Sequence, residues 1–152
     1  GIDLPPIWKP LGWLFYRAHN VDIVMEVTGF RRSKGSFPIT ESVFWEGWFI
    51  AVPIAVLVGA GFVVAYSISD DWTSGFVAGC TVVLGYGPVA TFGVFVTGWR
   101  VSFATDEFEA AVAISPDPLT GVLLTGFVYP VLAGGIGGAI AGISGLAPDR
   151  RE

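Results

Sequence analysis

The chain has 152 residues, 53% of them hydrophobic and 14% charged, with a mean hydropathy of +0.66 and a formal net charge of −5. Soluble domains carry about 25% charged residues, so the composition excludes an ordinary water-soluble globule. The acidic balance, with no long basic stripe to neutralise phosphates, excludes nucleic acid as a partner, and a single cysteine, Cys80, excludes an internal disulfide and a thiolate-rich metal centre.

Residues 1–46 precede the first long apolar stretch and read as a cytoplasmic or interfacial N-terminal unit. Ile2 to Asn20 carries Pro5, Pro6, Lys9 and Pro10 where a cleavable signal peptide would have a basic start and a clean apolar run. Within it, Ile7 to Arg17 holds Trp8, Trp13, Phe15 and Tyr16 together with the cations Lys9 and Arg17, and is too short to span a bilayer. Two readings fit: an amphipathic helix lying in the membrane interface, or a segment that docks in a groove of another subunit. His19, the only histidine, reads as a polar interface residue.

Val21, Ile23, Met25 and Val27 alternate with more polar neighbours, a period of two that predicts a strand. The basic turn containing Arg31, Arg32 and Lys34 follows, and Phe37 to Thr40 returns as a second strand, giving a small cytoplasmic β-hairpin. Trp8, Trp13, Phe15, Arg17, Arg31, Arg32 and Lys34 are the residues expected to touch a partner or the lipid interface.

Residues 47–146 form the membrane domain. Gly47–Ser69, Ser74–Trp99 and Leu119–Leu146 hold 23, 26 and 28 residues without one Asp, Glu, Lys, Arg or His. About 20 apolar residues suffice to cross a hydrocarbon core of about 30 Å, so the fold class is an all-α membrane protein of three transmembrane helices. Asp70–Thr73 is short enough to pack the first two spans as a hairpin. Arg100 to Pro118 is too polar to span, and its apolar residues beside Asp106, Glu107 and Glu109 predict a surface helix. Residues 147–152 are a short tail.

Crossing three times puts six Lys and Arg (Lys9, Arg17, Arg31, Arg32, Lys34, Arg100) on one side and two (Arg150, Arg151) on the other. The positive-inside bias then places the N-terminus in the cytoplasm and the C-terminus outside the cell membrane. Trp45, Trp48, Trp72 and Trp99 fall near span ends, where aromatic rings favour the headgroup level.

Small residues recur every four positions: Gly47, Ala51, Ala55 and Gly59 in the first span, Gly75 and Gly79 in the second, Gly134, Gly138 and Gly142 in the third. Such stripes let backbones approach, which matters in lipid, where van der Waals packing drives helix association. Pro88 and Pro130 lie within spans and predict kinks.

Catalysis finds little to work with. General acid–base chemistry needs titratable groups in a shaped pocket, and the spans offer none. No catalytic, metal or cofactor site is expected, and ion-coupled transport lacks its usual intramembrane charge. The sequence therefore reads as a non-enzymatic accessory, scaffold or assembly subunit, packed in the bilayer as a homo-oligomer or within a larger membrane complex. The alternative is a homo-oligomeric channel or passive permease whose path is lined by threonine and glycine, including Thr81, Thr91, Thr97 and Thr125.

Overall fold

The computed structural model describes residues 4–29, 35–38, 47–105 and 108–144. Three helices are long and apolar enough to cross a membrane: Trp48–Tyr66, Trp72–Val96 and Pro118–Ile143. Each lies within a few residues of the stretch expected for it.

The first of them opens as a 3₁₀ turn, Gly47–Ile50, and continues as α2, Ala51–Tyr66. The second starts at α3, Trp72–Cys80, where Asp71 accepts hydrogen bonds from the Thr73 and Ser74 backbone N–H groups at 2.7 and 3.0 Å. That cap satisfies donors a helix start leaves orphaned, and those bonds hold the exposed Asp71 carboxyl below the usual carboxylate range. After Thr81, whose hydroxyl donates back to the Ala78 carbonyl, the chain resumes as α4, Val82–Val96. The interruption thus sits at Thr81; Pro88 lies inside the continuous helix α4 and is exposed.

The third long helix begins with α5, Pro118–Thr120, capped by Asp117, which accepts from the Thr120 N–H at 2.8 Å and its hydroxyl at 2.7 Å. A π-helical segment, Gly121–Val128, follows and then α6, Tyr129–Ile143. Pro130 has no N–H to give the Gly126 carbonyl one turn earlier, and its ring crowds that carbonyl. Widening the preceding turns to π geometry is the accommodation, so Pro130 acts through the segment before it.

Helix α6 occupies the centre. A Cβ placed on Gly61 of α2 or Gly79 of α3 would overlap the Gly134 carbonyl, and one on Gly75 would overlap that of Gly138. On the other side, Gly137 admits the Val58 carbonyl, and Gly142 admits that of Asp71. Gly87 of α4 meets Gly126 of the π segment in the same way. Backbone therefore touches backbone along most of α6, the arrangement that small residues permit in lipid.

One stripe is out of phase. In α2 the buried positions are Pro53, Leu57, Gly61 and Ala65, whereas Ala51, Ala55 and Gly59 are exposed and Gly59 faces open space. Gly47 lies in the 3₁₀ turn ahead of them. The four-residue period is real, but the face that packs is the one two positions further on.

The connection between the second and third long helices departs from expectation. In place of a surface helix, β3 (Trp99–Thr105) and β4 (Phe108–Pro116) form an antiparallel hairpin. β4 also pairs antiparallel with β1 (Ile23–Thr28), and β1 with β2 (Gly35–Pro38), giving the order β2-β1-β4-β3. The expected hairpin is thus half of a four-stranded sheet, and the molecule is mostly helical without being all-α. Register sorts the side chains: Ile23, Met25, Val27, Val101, Val112 and Ile114 share one face, and Glu26, Thr28, Arg100, Ser102 and Glu109 the other. Arg31, Arg32 and Lys34 lie outside the described residues.

Candidate functional site

Helix α1, Trp8–Ala18, carries the aromatic segment and runs antiparallel along the second half of α4, from Gly98 at the sheet end to Ala90 and Tyr86. Lys9 donates to the Gly98 carbonyl, Trp13 Nε1 to the Thr97 carbonyl at 3.0 Å and the Tyr16 hydroxyl to the Ala90 carbonyl at 2.5 Å. Gly12 sits against the Thr97 methyl and Gly93 against the Tyr16 hydroxyl, positions where any side chain would intrude.

Where α1 stops, its geometry aims His19 inward. Asn20 has φ +58°, the left-handed conformation that asparagine tolerates, and the Asn20 and Val21 N–H groups return to the Arg17 and Tyr16 carbonyls at 2.9 and 3.1 Å. This is a Schellman stop, and its accompanying apolar contact joins Val21 to Tyr16 in a buried cluster with Ile23 and Val94. Arg17 pairs with Asp22 at 3.3 Å outside the turn.

His19 is fully buried. Its Nδ1 lies 2.8 Å from the Phe15 carbonyl, which can only accept, so the proton belongs on Nδ1. Nε2 is then the acceptor for the Tyr86 hydroxyl of α4, 2.7 Å away. The ring packs edge-on to Tyr129 of α6, with centroids 5.1 Å apart, and against Phe15 at 4.6 Å. One imidazole thus joins α1, α4 and α6. Burial pushes the His19 pKa below its usual value, partly opposed by the bond to the Phe15 carbonyl, and burial pushes that of Tyr16 up to about 12.

Beside this pair an apolar groove of about 380 Å³ opens between α1 and the first two turns of α2. Leu11, Leu14 and Ala18 form one wall, Val52 and Val56 the other, with His19 and Tyr86 on the buried side. Both polar side chains already hydrogen-bond to one another, so the groove offers an apolar ligand surface and no free acid or base. No cluster of three or more His, Cys, Asp or Glu residues suited to a metal occurs among the described residues.

The residues singled out in the sequence scatter relative to this site. Phe15 lines the groove and Trp13 is turned onto α4 of the same chain, while Trp8 is exposed, with Lys9 Nζ 5.3 Å from its ring centroid. Gly75, Gly79, Gly134, Gly138 and Gly142 line contacts among α2, α3 and α6, and Pro130 is buried directly after Tyr129. His19, read as an interface residue, is instead the most enclosed polar side chain of α1's end. A usable signal existed: one histidine closing an aromatic helix and one tyrosine, Tyr86, in an otherwise charge-free second span.

No curated protein and no solved structure matches the chain. Residues 2–145 match the model of one family, described only as a family of unknown function. With nearly all of its length covered, the chain belongs to the DUF7978 family.

Proposed function

We propose that the protein is a non-catalytic integral membrane subunit that works by docking to other membrane proteins or to further copies of itself. In this reading it crosses the cell membrane three times, with the N-terminus and the sheet on the cytoplasmic side, α1 lying alongside the membrane helices, and the C-terminus outside. The distribution of Lys and Arg supports that orientation.

The observation that carries the reading is the outer edge of α1. Ile7, just ahead of the helix, and Trp8 are exposed by 82% and 46%, although the opposite face of α1 is fixed to α4 and the two residues after it by three side-chain hydrogen bonds. A rigidly held helix with an uncovered apolar edge is suited to receiving a partner. The engaged nitrogens of His19 support binding over bond-breaking chemistry. The channel alternative draws less support: the hydroxyls of Thr81 and Thr97 bond to carbonyls of their own helices at 2.6 and 2.9 Å.

Gentle purification from native membranes followed by mass measurement of the intact assembly tests this. The expected species exceeds the 16.1 kDa chain by the mass of a second membrane protein or another copy. A lone chain overturns the reading, and a closed ring of copies that conducts ions replaces it with the channel.

A further inference from the structure

The groove between α1 and α2 has a size, a lining and a level that select its occupant. It runs from Phe49 to Leu57, which at the helical rise is about 12 Å. Those residues belong to the opening half of a helix long and apolar enough to cross a membrane.

Three classes of occupant compete. Water needs two to four polar partners, and the only polar side chains in the lining among the described residues, His19 and Tyr86, already bond to each other, with Nδ1 held by the Phe15 carbonyl. A helix from another protein is about 10 Å across, so along the groove's roughly 12 Å it would fill about 940 Å³, more than the empty space of about 800 Å³ inside the groove, its open margin included. What remains is something narrower than a helix, apolar along its length and plentiful at that depth.

We propose that this groove binds one hydrocarbon chain of a membrane lipid, inserted between α1 and α2 with the His19–Tyr86 pair as its buried floor. The chain fills the space left between the two helices, so α1 is held by hydrogen bonds to α4 and the residues after it, and meets α2 both directly and across the lipid. The assignment rests on the membrane location proposed above and is separable from the partner proposed there.

The test reconstitutes the full chain in phosphatidylcholine vesicles doped with a phosphatidylcholine that carries a photoactivatable diazirine midway along one acyl chain, and maps the adducts. Phe92, exposed by 69% on α4, reports ordinary contact with lipid. Adducts on Leu14, Val52 and Val56 at least threefold above those on Phe92 are expected. Filling the groove from either wall, by Ala18→Phe or independently by Val56→Trp, should lower the groove adducts at least threefold and leave Phe92 unchanged. Groove adducts no stronger than those at Phe92, or unmoved by both fillings, overturn the lipid site while leaving the membrane location intact. Absence of adducts at Phe92 and the groove alike overturns the membrane location itself.

Discussion

At the scale of single residues, His19 carries the most consequence. Its two bonds are satisfied by the neutral imidazole alone: a proton on Nε2 would remove the acceptor that the Tyr86 hydroxyl uses and place a charge in a fully buried site. Because the folded pKa lies below the unfolded value, the unfolded chain binds more protons, and stability falls as pH falls. The contribution is fully present above about pH 6.5 and is lost progressively below it, through the lowered folded pKa. Thermal unfolding in detergent as a function of pH should show this slope in the wild type and a flatter one in His19→Phe. The same substitution leaves the half-buried Tyr86 hydroxyl without its acceptor and should cost about 1 kcal/mol at neutral pH. At the start of the third long helix, Asp117→Ala removes the cap on Thr120 and should cost about 1 kcal/mol, read from the same melting curves.

Among elements, the contrast between two glycines tests how the helices meet. Gly134 of α6 receives α2 on one side and α3 on the other, backbone to backbone, whereas Gly59 faces open space. Gly134→Leu should cost about 3 kcal/mol or more and abolish the compact fold, measured as loss of protease resistance; Gly59→Leu should leave both unchanged. The spacing of small residues was legible in the sequence, but its phase in α2 was not: Gly47, Ala51, Ala55 and Gly59 compete with Pro53, Leu57, Gly61 and Ala65, and an almost uniformly apolar helix gives no polar face to decide between them. The same limit operated at Arg100 to Pro118. Trp99, Val101 and Phe103 do alternate with Arg100, Ser102 and Ala104, yet the alanines of β4 and the acidic cluster masked that period. Strands of alanine are stabilised here by pairing on both sides, with β1 and with β3, which is tertiary information. For the candidate site, Phe15 was singled out as a contact residue, but the meeting of His19 with Tyr86 joins residues 67 apart, and no local pattern encodes it.

For the whole molecule, the proposed orientation is checked by an impermeant label on intact cells: a cysteine added after Glu152 should react from outside, with Cys80 replaced by alanine. Reaction only after lysis would overturn the proposed orientation, and if a cysteine placed at the N-terminus also reacted only after lysis, the three-crossing topology would be dismissed. A chain ended before Pro118 should fail to acquire protease resistance at all, because it lacks the helix around which α2 and α3 close.

The central position of α6 also sets an order of events during synthesis. The helix that the other two long helices pack against is translated after both of them, and β1, which precedes them all, finds its partner β4 only after residue 116 has been made. Neither the helices nor the sheet can therefore mature in the order in which they are translated, and the segment carrying β1 must wait until β4 has emerged. A cell producing this protein holds, for that interval, two apolar helices with their glycine faces uncovered, and whatever shelters them is part of how the protein comes to exist.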